Sequence, residues 1–377
     1  MMKSWICAAA LLVVGGAQAA EYWVYVGAMP RPVSKGIYQY RFDPGSGKVT
    51  PLGVAAVTVD PAFFAVHPNR RVLFVANEYE NPGEAGNTIS SFAIDAATGK
   101  LTFLNKISAK GDGPCYIAVD KTGKNLLLAN FGSGSVAVLP IAADGRLGEA
   151  TAFIQHAGSS VNPVRQKGPH AHCIILSPDN RFALVSDLGL DKVLVYRFDA
   201  AKGTLAPNDP PFTKVAPGAG SRHLVFHPNG KIVYCISEMG SSMITFEYAA
   251  GGGTLKEIQT VSTLPAEFKG TSTGAEVQVN RAGTVLYGSN RGHDSIAVFS
   301  IDPRQFTLTP VEHVPTQGKT PRYFGIDPTG KYVFVANQGS NNVVVLAVDA
   351  KSGKLTPTGT VLTDAPAPVC VEFVERR

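Results

Sequence analysis

Residues 322–338 read RYFGIDPTGKYVFVANQ. An apolar run, a Pro/Thr/Gly turn and a second apolar run predict a β-hairpin. The same unit stands at 62–78 (AFFAVHPNRRVLFVANE), 115–131 (CYIAVDKTGKNLLLANF) and 172–188 (HCIILSPDNRFALVSDL). It recurs at 222–238 (RHLVFHPNGKIVYCISE) and 275–291 (AEVQVNRAGTVLYGSNR). The copies start 47 to 57 residues apart, the period of a propeller blade.

Two more strands follow each hairpin, as in NTISSFAID with KLTFLNKI and NNVVVLAVD with KLTPTGTV. Four antiparallel strands per repeat make one blade. Residues 22–49 supply strands two to four of a further blade, and PAPVCVEF at 366–373 supplies the missing first one. A blade built from both ends closes the ring and removes its free edges. The expectation is an all-β, seven-bladed propeller in which 366–373 pairs with 22–27. Length alone would argue for two or three domains, but the repeats make residues 21–377 one.

Composition agrees. The chain has 377 residues, 45% hydrophobic and 17% charged, with 39 Gly and 26 Pro spread along its length. That excludes disorder and coiled coil and disfavours a helical fold. The net charge of +5 is mild, with no basic run carrying interleaved aromatics, so nucleic-acid binding is unsupported.

Residues 1–20 read as a secretory signal peptide: Lys3, an apolar core at 8–14, and Ala17-Gln18-Ala19 as the cleavage signal. Cleavage is expected near Ala19/Ala20, which places the protein in the periplasm or outside the cell. The apolar run is too short to span a membrane. Cys115, Cys173, Cys235 and Cys370 sit singly in apolar strands without paired spacing, so buried free thiols are expected rather than disulfides or a metal site.

Aligning the copies locates candidate functional residues. The first position of each hairpin reads Ala62, Cys115, His172, Arg222, Ala275 and Arg322. The last reads Glu78, Phe131, Leu188, Glu238, Arg291 and Gln338. Both ends of the hairpin meet at one mouth of the central channel. A scaffold role would favour the same residue in each blade; these positions vary, so His172, Arg222, Glu238, Arg291 and Arg322 are the candidates. The preceding position is Asn or Asp in five of six copies (Asn77, Asn130, Asp187, Asn290 and Asn337), which reads as structural. Three arginines suit an anionic ligand, and a carboxylate with a histidine offers acid–base chemistry. No G-x-S-x-G elbow and no Gly-rich dinucleotide fingerprint occurs.

Four segments carry a family resemblance: GEATAFIQHAGSSVNPVRQKGPHAH (148–172), GAGSRHLVFHPNGK (218–231), SNRGHDSIAVFSID (289–302) and QGKTPRYFGIDPTGK (317–331). The chain resembles the seven-bladed propeller lactonases, including bacterial 6-phosphogluconolactonases of propeller type. A fungal carboxymuconate-lactonizing enzyme shares the fold and uses a His, a Glu and two Arg. That pattern falls on His172, Glu238, Arg222 and Arg291, with His170 as the alternative histidine. The resemblance implies hydrolysis of a small sugar lactone without metal or organic cofactor. The bacterial phosphogluconolactone pathway is cytosolic, which sits poorly with an export signal. The competing readings are a non-catalytic propeller binding a protein or glycan, and a calcium-dependent gluconolactonase of another propeller type.

Overall fold

The computed structural model describes residues 20–29, 34–78 and 87–376. The signal-peptide reading of 1–20 thus lies almost wholly outside the described residues. Seven four-stranded antiparallel sheets are present, each running from an inner to an outer strand. The inner strands are Pro61–Val66, Pro114–Val119, Ala171–Leu176, Ser221–Phe226, Thr273–Val279, Pro321–Ile326 and Pro368–Glu375. Among the described residues the helical content is one 3-10 turn, Gln338–Ser340.

The second strand of each hairpin is the most apolar and is buried throughout in Val72–Asn77, Asn125–Asn130, Phe182–Asp187 and Ile232–Ser237. A strand flanked by neighbours in its own sheet and packed against adjacent blades has both faces covered, which a continuous apolar run satisfies. The hairpin turns need a left-handed residue at one position. Gly123, Gly230, Gly283 and Gly330 take it at φ of 70–74°, and Arg70 and Asn180 take it at 59° and 62°.

The ring closes as the termini predict. Pro368–Glu375 is the inner strand of a sheet whose next member is Tyr22–Ala28, with Tyr22 opposite Glu375 and Val26 opposite Val371. Outside the strands, Met29 N–H donates to Ala367 and Arg376 N–H to Glu21. The repeated Asn also has its structural role. Asn130, Asn290 and Asn337 donate to the backbone carbonyls of Ala109, Thr263 and Thr316 at the ends of the preceding blades, at 2.7–3.1 Å. Where the residue is Asp187, the partner changes polarity: His156 lies 2.7 Å from its carboxylate. The position therefore latches neighbouring blades together.

Candidate active site

Each inner strand slips register near its start, between Pro61/Phe63, Pro114/Tyr116, Ala171/Cys173, Ser221/His223, Gly274/Val277 and Pro321/Tyr323. A bulge of this kind re-aims a side chain that strict alternation would send away. Consecutive residues such as Arg222 and His223 consequently both turn inward and touch each other.

The residues at the His223 position make a plug. Phe63 stacks on Tyr116 at 4.1 Å between ring centres and meets Tyr323 edge-on at 5.7 Å; Tyr116 meets His223 at 5.1 Å. These four rings come from four blades. Above them, His172 contacts the His223 ring at 5.1 Å and places Nδ1 3.7 Å from the Cys115 sulfur.

Glu238 is the centre of the candidate cluster. Its Oε2 accepts from Arg222 Nε and Arg291 Nη2, both at 3.0 Å, and its Oε1 from Arg165 Nη2 at 2.7 Å. Arg322 makes a neighbouring pair with Glu78 at 3.0 Å. The structure thus brings together Arg222, Glu238 and Arg291, with His172 beside them and Arg322 on a second carboxylate. His170 reaches the cluster only through Phe131: it stacks on that ring at 4.6 Å, its Nδ1 lies 2.8 Å from the Phe131 carbonyl, and the same ring meets His172 at 5.2 Å.

Arg222 is 2% exposed, held also by the Ala275 carbonyl at 2.7 Å and by His223 Nε2 at 3.3 Å. Since the guanidinium can only donate, His223 Nε2 accepts, and its proton sits on Nδ1, 2.8 Å from Glu276. This chain of contacts fixes Arg222 from below. Arg291 Nε is buried without an acceptor among the described residues, although Nη2 also donates to Gly274.

Charge governs the protonation states. Burial alone would raise Glu238, but Arg291, Arg222 and Arg165 outweigh it and bring the carboxyl down to about 2. Burial and the adjacent Arg291 lower Arg222 to about 10 despite Glu238. His172 is driven well below its usual 6.5 by burial, then by Arg222 and Arg322, so it is a neutral imidazole at physiological pH. Among the described residues its Nε2 carries no protein hydrogen bond. Burial also raises Glu276, to about 8. The Cys115 thiol is raised by burial, and all four described cysteines are free and buried. A buried charge cluster is a weak contributor to stability, because desolvation offsets most of its attraction. Its arrangement is better suited to a charged ligand.

Repeat alignment missed three members of this network. His223 and Glu276 follow the aligned first position by one residue; strict alternation turns them away, and the bulge turns them inward. Arg165 lies in the connection between Ala152–Gln155 and Ala171–Leu176, where no repeat register exists. The run SRH at 221–223 was the available signal for His223. Two surface cavities of 580 and 500 Å³ share no residue with the cluster; they are lined by hairpin-turn residues such as His67, Thr122 and Pro328.

The family profile of seven-bladed β-propeller lactonases matches residues 23–373. A 6-phosphogluconolactonase of Bacillus subtilis is 34% identical over 356 residues, covering 94% of this chain and 99% of that protein. Another 6-phosphogluconolactonase, from Formosa agariphila, is 31% identical over 79% of this chain and 84% of its own. The structure of a periplasmic gluconolactonase from Pseudomonas aeruginosa superposes with a TM-score of 0.89 at 34% identity, covering 95% and 100% of the two chains. The chain belongs to the seven-bladed β-propeller lactonase family and is a lactonase.

Proposed function

We propose that the protein hydrolyses a sugar-derived lactone bearing an anionic group, at the channel mouth built from His172, Arg222, Glu238, Arg291 and Arg322. The observation that carries this reading is a neutral, buried imidazole whose Nε2 carries no hydrogen bond among the described residues, beside three guanidiniums, Arg165, Arg222 and Arg291, gathered on Glu238. His172 Nε2 takes a proton from water as the water oxygen bonds to the lactone carbonyl carbon. Arg222 and Arg291 stabilise the negative charge that develops on the carbonyl oxygen. The unpartnered Arg291 Nε is a donor for such an oxygen. Collapse breaks the ring C–O bond, and the imidazolium returns its proton to the ring oxygen, giving a hydroxy acid. Glu238 holds both arginines in place. The convergence of Arg165, Arg222 and Arg291 on one carboxylate supports an anionic substrate, since guanidinium binds carboxylate or phosphate in a fork.

Action in the periplasm or beyond is part of the proposal, supported by the leader-like residues 1–20 and by the periplasmic relative. The test is a pH-stat screen of the purified protein over neutral, carboxylated and phosphorylated sugar lactones. Turnover of anionic lactones that collapses in His172→Asn is the expected result. Absence of hydrolysis of every lactone refutes the reading.

A further inference from the structure

Among the described residues, Arg165 is the one arginine on Glu238 that faces solvent: its side chain is 42% exposed, against 2% for Arg222 and 16% for Arg291. The backbone beneath it is fixed. Asn162 Oδ1 accepts the N–H groups of Val164 and Arg165, Ser160 N–H donates to the Gln166 carbonyl, and Gln166 Nε2 donates to Leu188. A held backbone with an exposed head group leaves the side chain free to change partner. The two oxygens of Glu238 are also unequally shared among the described residues: Arg222 and Arg291 occupy Oε2, whereas Arg165 holds Oε1. The Arg165 guanidinium reaches solvent although Glu238 is buried, and Arg222 and Arg291 stay on Glu238 when it leaves, so exchanging its anion costs less than breaking the fully buried Arg222 pair.

We propose that Arg165 recognises the anionic group of the substrate, a carboxylate or a phosphate monoester, by leaving Glu238 for it, and that this exchange frees Glu238 Oε1 to orient the attacking water. The proposal rests on the lactonase reading above and adds a substrate-selecting residue to it. A neutral lactone offers Arg165 no competing anion, so Oε1 stays covered. Anionic substrates are therefore favoured twice, once in binding and once in positioning the water.

The test compares kcat/KM for a neutral, a carboxylated and a phosphorylated sugar lactone, across pH, in the parent and in Arg165→Gln. A charged hydrogen bond of ordinary strength predicts that the preference for the anionic lactones falls about ten- to a hundredfold. The acid limb for the neutral lactone moves to higher pH, because one guanidinium no longer holds Glu238 ionised. Whichever of the carboxylated and phosphorylated lactones loses more identifies the group that Arg165 reads. Equal losses on all three lactones, or an unaltered preference, overturn the proposal. Calorimetric titration with glucose, glucuronate and glucose 6-phosphate separates this inference from the lactonase reading. If the parent hydrolyses nothing but binds an anionic sugar in an Arg165-dependent way, only the lactonase reading falls; anionic-sugar binding that is absent from the parent or unaltered in Arg165→Gln overturns the inference.

Discussion

Replacing Glu238 by Gln probes the electrostatics of the mouth directly. The carboxyl stands at about 2 instead of 4.5, because three guanidiniums outweigh the upward push of burial. Each pKa unit is worth about 1.4 kcal/mol, so the ionised carboxylate stabilises the fold by about 3 kcal/mol relative to its own protonated form, whatever the cluster as a whole contributes against an apolar replacement. The folded pKa lies below the unfolded one. The contribution is therefore complete above about pH 5 and is lost as pH falls toward about 2. Gln keeps the shape and removes the charge, leaving Arg222 Nε and Arg291 Nη2 facing a neutral amide. Breaking a buried pair from one side costs about 3–5 kcal/mol, the same scale. An unfolding entropy near 2 cal/mol/K per residue gives about 0.7 kcal/mol/K for a chain of this size, so Tm should drop by about 4–5 °C at pH 7. At pH 3 about 1.4 kcal/mol of the contribution remains, and the gap should shrink to about 2 °C. Scanning calorimetry of both proteins at the two pH values measures this. A variant as stable as the parent at pH 7, or a gap of equal size at both pH values, refutes the reasoning.

Other outcomes can be checked on the same protein. His172→Asn should lower turnover by about 10²–10⁴ with little change in Tm. Because His172 lies well below 6.5, it stays neutral as pH falls from 8 to 6, and the pH–rate profile of the parent should show no loss from its protonation in that interval. His223→Phe removes the acceptor beneath Arg222 and should lower kcat about tenfold while leaving the circular dichroism spectrum unaltered; an unchanged kcat removes His223 from Arg222 positioning. Truncation of residues 368–377 opens the ring and exposes two strand edges, so cooperative unfolding should be lost or Tm strongly lowered, as read by thermal denaturation. Treatment with a chelator should leave hydrolysis unaffected, and loss of activity restored by calcium would favour the calcium-dependent reading.

The blade repeat, the pairing of the two chain ends and a structural role for Asn77, Asn130, Asp187, Asn290 and Asn337, though not their partners in the preceding blade, were legible in the amino-acid sequence. Each depends on local signals: apolar runs, a turn residue such as Gly330, a short polar side chain at a fixed offset. Because those signals repeat, the copies could be aligned against one another, and the alignment located His172, Arg222, Glu238, Arg291 and Arg322 at one mouth. Tertiary structure alone decided how they are partnered. The bulge in each inner strand turns His223 and Glu276 inward beside the aligned position, since a register slip breaks the two-residue alternation on which the sequence reading depends. Arg165 meets Glu238 across 73 residues of chain, from a connection that no repeat constrains. Repetition reveals what every blade shares; contacts made between blades, by residues that differ in each, exist only once the ring has closed.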